Sequence, residues 1–271
     1  MIIYIFSIIL GLVLSALLAF QSPSLHLIWQ IPLIILGCVI GVFILFVIAV
    51  CIISLTIDKK KHYDRPTPFY MNLINLAYSY GGAMLGARIK VEGLEKLPEE
   101  RFLVVSNHLS LFDPLLVTLA LKKTWLVFVS KPENFNIPAI GRYMHRCRHL
   151  AIDRDDARKA VATINEAAEL ISGDVVSVGI FPEGTRSKTG QLGEMKAGSF
   201  KIAQKAHCPI VVAQIEGTDK LKKHFFIIPT VCRFRILAVI PADRVKAAKT
   251  VQLAEEVTDM ILTAQGRITS A

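Results

Sequence analysis

Hydrophobic residues are concentrated at the amino-terminal end of the chain. Residues 2–20 and 31–57 are almost wholly apolar and carry no charged side chain. Each run is close to or above the roughly 20 residues that a helix needs to cross the hydrocarbon core of a bilayer. A short, more polar stretch at 21–30, which contains Trp29, separates them. We predict two transmembrane helices in a hairpin within residues 1–57, and not a cleaved signal peptide, because no Lys or Arg precedes the first run.

A basic segment follows the second apolar run. It contains Lys59, Lys60, Lys61 and Arg65, and the excess of positive charge on the cytoplasmic side of membrane proteins predicts that the rest of the chain is cytoplasmic. Residues 69–80 are aromatic and apolar but are interrupted by Asn, which makes them a poor spanning helix. They fit either an amphipathic helix in the membrane interface or a core helix of the following domain. We therefore treat residues 58–88 as a juxtamembrane and interfacial segment.

Short apolar runs alternate with helical patterns over the remaining residues, 89–271. This alternation is typical of an α/β domain in which helices cover a parallel or mixed sheet, with a site formed by loops at the strand ends. The clearest helices are Asp156 to Ile171, which ends at Gly173, and residues 250–265. The predicted strands are 101–106, 125–130, 175–181, 210–215 and 231–240.

A histidine and an aspartate lie close together after the first of these strands. His108 and Asp113 belong to the sequence Ser-Asn-His-Leu-Ser-Leu-Phe-Asp, which Pro114 and a helical pattern follow. A histidine held by a carboxylate is a general base for a hydroxyl group. In the alternative interpretation Asp113 only caps the helix, with Ser110 as its partner in a capping box, and His108 is structural.

A second turn, Phe-Pro-Glu-Gly-Thr-Arg-Ser at 181–187, follows the predicted strand 175–181. Arginine has a planar group of donors that suits phosphate, and Glu183 can orient a hydroxyl group or Arg186 itself. The alternative is a surface turn closed by a local ion pair between Glu183 and Arg186.

These two turns, in this order, resemble those of the 1-acylglycerol-3-phosphate acyltransferase family of membrane enzymes. Asn107, His108 and Asp113 match the first block of that family, and residues 181–187 match its third block in full. The resemblance implies the glycerolipid acyltransferase fold, a mixed sheet covered by helices. It also implies that His108 is the base and Asp113 its partner. The implied substrate-binding residues are Asn107, Lys131, Arg154, Glu183, Gly184, Thr185, Arg186 and Lys196.

Three of those residues come from weaker matches. Lys131 and Arg154 fall in a second block, in which Arg154 ends the sequence Ile-Asp-Arg, and Lys196 lies where the family often has a lysine. Residues 146–149, Arg-Cys-Arg-His, are more basic than the family pattern. An alternative for Arg154 is a solvated pair with a neighbouring aspartate.

The resemblance implies transfer of a fatty acyl group from an acyl thioester to the free hydroxyl of 1-acylglycerol 3-phosphate, which forms phosphatidic acid. The donor is acyl-CoA or acyl-acyl carrier protein, and no bound cofactor is expected. The implied location is the bacterial cytoplasmic membrane, with the catalytic domain on the cytoplasmic side. Two alternatives stay open: an acyltransferase with another acceptor, such as glycerol 3-phosphate, another lysophospholipid or an aminolipid, and a lipid-binding protein without turnover.

The formal net charge of +9 agrees with anionic partners. Beside a membrane anchor, basic clusters attract anionic lipid head groups and an acidic acyl carrier or the phosphates of coenzyme A. No nucleic-acid motif is present, so nucleic acid is not an expected partner. The five cysteines show no paired spacing, and His145 and His149 lack an acidic companion, so no metal site is predicted. The basic clusters are Lys122–Lys123, Arg142 through Arg148, and Lys220 through His224.

Overall fold

Two long apolar helices begin the chain. The computed structural model describes residues 2–21, 27–187, 189–224 and 228–266. Helix α1 is Ile2–Gln21 and helix α2 is Leu27–Leu55, so both predicted apolar runs are helical, although α2 ends two residues earlier than predicted. Half of the predicted connecting stretch 21–30, residues 22–26, lies outside the described residues, and the other half is helical, because α1 extends to Gln21 and α2 already begins at Leu27.

Helices α1 and α2 pack closely at a glycine. A Cβ added at Gly11 would lie 2.8 Å from the Cα of Ile35, and Ser7 and Ser15, one turn away on either side, are also buried. Small residues at this spacing let two helices approach each other closely, as in many membrane helix pairs. By length and composition the segment Gln30–Leu55, with a mean hydropathy of 3.3, is able to cross a membrane, whereas the apolar run Ile5–Leu18 in α1 is shorter. A second span through α1 stays a prediction.

Helix α3, Pro68–Met84, connects the apolar pair to the rest of the molecule. It continues through the Gly-Gly pair at 81–82, where the sequence predicted its end. Tyr80 is buried against Phe43 and Phe46 of α2, while Phe69 near the start of the helix is exposed. The inner part of α3 is therefore packed like a core helix, and the interfacial location of its exposed side stays a prediction.

The remaining elements form an α/β domain, as predicted. Its sheet has the order β1-β7-β6-β2-β5-β3-β4; neighbouring strands are parallel except for β6 and β7, which are antiparallel. The strands are β1 Ala87–Glu92, β2 Leu103–Ser106, β3 Leu126–Ser130, β4 Leu150–Ala151, β5 Ser177–Ile180, β6 Ile210–Glu216 and β7 Thr230–Ile240. The helices are α4 Asp113–Ala120, α5 Ile140–Arg146, α6 Ala157–Ser172, α7 Lys201–Ala206, α8 Thr218–His224, α9 Ala242–Ala247 and α10 Thr250–Ala264.

Two of these strands were not predicted from the sequence. Strand β4 has only two residues, and β1 alternates exposed charged residues with half-buried apolar ones. Neither gives the apolar run that identified the other strands. Because β1 begins at Ala87, the sheet starts inside the segment that the sequence assigned to the juxtamembrane region.

Apolar side chains fill both faces of the sheet. In β2, Leu103 and Val105 pack on one side with α6, α7 and α10, while Val104 packs on the other side with α4. This alternation follows from the period of two residues in a strand. Helix α6 begins at an N-cap, Asp156, whose carboxylate accepts the N–H groups of Arg158 and Lys159. The predicted helices at 156–171 and 250–265 are confirmed to within one residue.

The basic segment after α2 is bound to helix α5. Arg142 donates to the carbonyl of Ile57 at 2.8 Å, and Tyr143 donates to the carbonyl of Val50, inside α2, at 2.7 Å. Arg146 lies over the ring of Tyr63 at 4.4 Å. These contacts hold the end of α2 against the α/β domain.

Candidate active site

The predicted site residues lie at one edge of the sheet. Strands β2, β3, β4 and β5 are parallel, so their carboxyl ends lie together, as in other open α/β sheets. Asn107 and His108 follow β2, and Lys131 follows β3. Arg154 comes shortly after β4, and residues 181–187 follow β5.

His108 and Asp113 form a hydrogen-bonded pair. Nδ1 of His108 lies 2.7 Å from Oδ2 of Asp113. An ionised carboxylate only accepts hydrogen bonds, so Nδ1 carries the proton and the lone pair is on Nε2. The Asp113 side chain is fully buried, whereas the His108 side chain keeps 18% of its surface exposed. The imidazole can therefore receive a proton from a ligand while the aspartate holds it in place.

The capping interpretation of Asp113 holds in part. Its Oδ2 also accepts the N–H groups of Leu109 at 2.6 Å and Ser110 at 2.8 Å, and the bond to Ser110 is one half of a capping box. The other half is missing, because Ser110 Oγ accepts from Phe112 instead of Asp113. The same carboxylate thus fixes the turn before α4 and the ring of His108.

Phe181 supports the imidazole from one side. The two rings are stacked, with centroids 4.2 Å apart and planes 11° from parallel, and Phe181 in turn stacks on Phe128 of β3. This ring leaves the imidazole little freedom to tilt. The sequence placed Phe181 in the second turn but did not identify this contact with the imidazole of His108.

Glu183 binds the main chain on both sides of the site. Its Oε1 accepts the N–H of His108 at 2.6 Å, and its Oε2 accepts the N–H of Gly193 at 2.7 Å. Burial raises the pKa of Glu183 above its ordinary value, although the N–H groups of Gly193 and His108 act in the opposite direction. Glu183 is buried while Arg186 is exposed, so the alternative of a surface turn closed by a pair between these two residues is wrong.

Asn107 joins two neighbouring strands. Its side-chain amide donates to the carbonyl of Ile215 at 2.9 Å and accepts the N–H of Ile215 at 2.7 Å. This reciprocal pair connects the end of β2 to the end of β6. The predicted contact of Asn107 with substrate stays a prediction, since the amide already has these backbone partners.

Three of the predicted substrate-binding residues, Gly184, Arg154 and Lys196, lie close together. A Cβ added at Gly184 would be 2.8 Å from Nη1 of Arg154 and 3.2 Å from Cε of Lys196. Gly184 has a φ of +76°, so the turn reverses there and its backbone faces both cations. Burial lowers the pKa of Arg154, a cost that a bound anion would offset.

Thr185, Arg186 and Lys131 are exposed. Thr185 and Arg186 continue the turn beyond Gly184, and Lys131 follows β3 at the same sheet edge. Their roles toward substrate stay predictions, as does the role of Lys196, whose backbone N–H bonds the carbonyl of Pro182.

Sequence reasoning missed Thr218. Its Oγ1 donates to Oδ1 of Asp113, across 105 positions of the chain. The only signal in the sequence is a Gly-Thr pair directly after the apolar run of β6, which by itself indicates nothing more than the start of a helix.

The two histidines with helical spacing have separate partners. His149 Nδ1 accepts the N–H of Phe128 at 3.2 Å, and burial lowers the pKa of His149 from 6.5 to about 4. His145 Nε2 lies 2.9 Å from the carbonyl oxygen of Lys61. Within the ranges that the structure describes, no group of three or more His, Cys, Asp or Glu side chains is placed to hold a metal ion.

Comparison with known proteins points to one family. The Acyltransferase family model matches residues 88–216. The chain is 39% identical over 136 residues to 1-acyl-sn-glycerol-3-phosphate acyltransferase LPAT1, chloroplastic, of Arabidopsis thaliana, covering 49% of this chain and 37% of that protein. It is 28% identical over 224 residues to 1-acyl-sn-glycerol-3-phosphate acyltransferase alpha of Ovis aries, covering 82% and 76%. The matches thus span well under half of the chloroplastic relative but about three quarters of the sheep one.

A solved structure of a related enzyme has a fold similar to that of this chain. The crystal structure of the 1-acyl-sn-glycerophosphate (LPA) acyltransferase PlsC from Thermotoga maritima is similar, with a TM-score of 0.59 and 25% identity, over 74% of this chain and 81% of that chain. The similarity therefore extends well beyond the residues of the two turns.

Proposed function

We propose that the protein transfers a fatty acyl group from an acyl thioester to the free hydroxyl of 1-acylglycerol 3-phosphate, forming phosphatidic acid. The match of residues 88–216 to the Acyltransferase family model supports this proposal. The observation that carries the proposal is the pair between His108 and Asp113, placed at the sheet edge beside Arg154 and Gly184. A base and an anion site together suit an acceptor that has both a hydroxyl group and a phosphate.

The reaction follows from the state of the imidazole. Nε2 of His108 takes the proton of the acceptor hydroxyl as its oxygen attacks the thioester carbon. Asp113 stabilises the imidazolium that forms. When the tetrahedral intermediate collapses, the carbon–sulfur bond breaks and the imidazolium returns the proton to the leaving thiolate. No residue is acylated, and no bound cofactor takes part.

Arg154 and Lys196 carry the proposed phosphate site, together with Arg186. The first two approach the backbone of Gly184 from the same side, and a phosphate there would replace water around a half-buried guanidinium. Charge-assisted hydrogen bonds from arginine to phosphate are stronger than neutral ones. Thr185 and Lys131 supply further polar contacts at the exposed rim.

A lipid acceptor requires that the site reach a membrane. Helix α2 provides a segment able to span one, and α5 holds the end of α2 to the α/β domain. Leu111, three residues after the base, and Ile137 and Ile140, just before and at the start of α5, are exposed. We propose that these side chains enter the head-group region, with the basic segment 59–65 against anionic lipid and the domain on the cytoplasmic side.

The test uses membranes that contain the full chain. Labelled acyl-CoA and acyl-acyl carrier protein are each offered with 1-acylglycerol 3-phosphate, glycerol 3-phosphate, other lysophospholipids and an aminolipid. We expect labelled phosphatidic acid from the first acceptor, and a loss of about 10²- to 10⁴-fold in turnover for His108→Ala. Asp113→Asn should also lower turnover. His207→Asn, at a histidine in the left-handed region that asparagine tolerates, is the matched control.

Three results would overturn this proposal or part of it. Full activity in His108→Ala would refute the mechanism. Transfer to a different acceptor alone would refute the substrate, and transfer to none would favour a lipid-binding protein without turnover.

A further inference from the structure

We propose that Thr218 is a positioning residue for the base, acting through Asp113. This inference rests on the proposed function, because it concerns the same His108–Asp113 pair. Thr218 is fully buried, and its hydroxyl donates to Oδ1 of Asp113. It does not contact His108 in the hydrogen bonds of the described residues, so its influence on the reaction passes through the carboxylate.

The two oxygens of Asp113 have different sets of partners. Oδ2 accepts from the His108 ring and from the N–H groups of Leu109 and Ser110. Among the described residues, Oδ1 has Thr218 as its hydrogen-bond donor. With both oxygens held, the carboxylate cannot rotate about its Cβ–Cγ bond. Thr218 therefore acts together with the N–H groups of Leu109 and Ser110 to keep Oδ2 directed at Nδ1.

The main chain brings Thr218 to this place through a sharp turn. Gly217, directly after β6, has a φ of +83°, and a Cβ there would lie 2.3 Å from the carbonyl oxygen of Val231. Only glycine fits such a close approach to a neighbouring strand. The end of β6 is itself held by the reciprocal bonds between Asn107 and Ile215. The base and its support are thus fixed to one another through β2 and β6.

The consequence for the reaction concerns turnover and not acceptor binding. Without the hydroxyl, Oδ1 would be a buried acceptor lacking a partner, and the carboxylate would gain freedom to turn. The imidazole would then spend less time with its lone pair on Nε2. Among the described residues, Thr218 has no hydrogen bond to Arg154 or Lys196, so we expect acceptor binding at the proposed phosphate site to be unchanged.

The alternative is that the hydroxyl only satisfies a buried carboxylate and stabilises the fold. Thr163 offers a matched control, because it is also buried and its Oγ1 donates to the backbone carbonyls of Ala151 and Lys159. Thr163→Val removes buried hydrogen bonds by the same change of atoms, but it does not touch Asp113.

The first experiment measures kcat and the acceptor KM of three variants, Thr218→Val, Thr218→Ser and Thr163→Val, as full-length proteins in detergent. The acceptor is 1-acylglycerol 3-phosphate, and the thioester is acyl-CoA, or acyl-acyl carrier protein if that is the donor. For Thr218→Val we expect kcat to fall by roughly 10- to 100-fold and the acceptor KM to change by less than about twofold. Thr218→Ser should recover most of kcat, and Thr163→Val should keep it. An unchanged kcat in Thr218→Val, no recovery with serine, or an equal loss in Thr163→Val would overturn the proposal.

The second experiment does not depend on acyltransferase activity of the protein. Nitrogen-15 NMR of labelled histidine reports which ring nitrogen carries the proton, and the His108 signal is assigned by its loss in His108→Ala. The wild type should show the proton on Nδ1, and Thr218→Val a mixture of both forms. An unchanged spectrum would overturn the role of Thr218. If the wild type transfers acyl groups to no acceptor, the proposed function fails while this spectrum still decides the present inference.

If Thr218→Val does not fold, a further variant still tests the proposal. Thr218→Cys keeps a side chain close to serine in size but offers only a weak S–H donor. A folded Thr218→Cys with lower kcat than Thr218→Ser supports the proposal, and equal kcat values for the two variants contradict it.

Discussion

Glu183 and His108 are joined through the main chain. Oε1 of Glu183 accepts the N–H of His108 at 2.6 Å, while the other oxygen holds Gly193, ten positions further along. The turn at 181–187 is therefore hydrogen-bonded to the main chain of His108, the proposed base. One carboxylate thus holds the main chain at both His108 and Gly193.

We expect Glu183→Gln to loosen both connections. Glutamine has one acceptor oxygen, so one of the two N–H groups would face an NH₂ group and lose its partner, at a cost of about 1–3 kcal/mol. The unfolding temperature and kcat should both fall. Glu194→Gln, an exposed position on the same loop, is the control. Steady-state kinetics with thermal unfolding checks this, and a Glu183→Gln protein with wild-type stability and kcat would contradict the positioning role.

Arg154→Ala should weaken acceptor binding more than Arg186→Ala does. Arg154 is half-buried beside Gly184 and Arg186 is exposed, so a hydrogen bond from Arg154 to phosphate is less screened by water. We expect the acceptor KM to rise by roughly 10-fold or more for Arg154→Ala. Arg158→Ala, at an exposed position at the start of α6, should leave KM unchanged. Equal KM values for Arg154→Ala and Arg158→Ala would rule out the phosphate role.

Gly184→Ala tests the space beside Arg154. Gly184 and Gly190 have nearly the same φ, +76° and +74°, but a Cβ at Gly190 would meet no atom within 4 Å, whereas at Gly184 it would meet Arg154 at 2.8 Å. Both alanine variants should lose about 1 kcal/mol of stability from the left-handed backbone. Only Gly184→Ala should also raise the acceptor KM. The measurement is KM and unfolding temperature for both variants, and parallel changes in KM would contradict it.

The partly buried imidazole of His149 predicts a loss of stability in acid. Its pKa is lowered from 6.5 to about 4, so the folded state binds its proton less readily than the unfolded state does. The stability from this group is therefore complete above pH 6.5 and is lost as the pH falls toward 4, by up to about 3 kcal/mol.

His149→Asn removes this titration and keeps an acceptor for the N–H of Phe128. Unfolding temperatures measured across that pH range should fall more steeply for the wild type than for the variant. Identical pH dependence in the two proteins would show that His149 does not contribute.

Much of the fold could be predicted because its signals are local. An apolar run such as that of β6 is recognisable without knowledge of its neighbours, and Asp156 marks the start of α6 through backbone groups only two and three residues away. Strand β4 was not predicted from the sequence, because its two residues form a strand only by pairing with β3. The continuation of α3 through Gly81 and Gly82 likewise depends on packing, since Gly82 lies against Leu115 and Leu119 of α4.

The sequence by itself determined the pairing of His108 with Asp113 and the turn that follows β5, because these two residues lie within one short loop and residues 181–187 are contiguous. Only the tertiary structure decided which partners fix them: Thr218 on Asp113, Phe181 on His108, Asn107 on Ile215, and Glu183 on two backbone N–H groups. These contacts join residues far apart in the chain. They exist because parallel strands bring their carboxyl ends to one edge of the sheet, an arrangement set by strand order and not by any local pattern of residues.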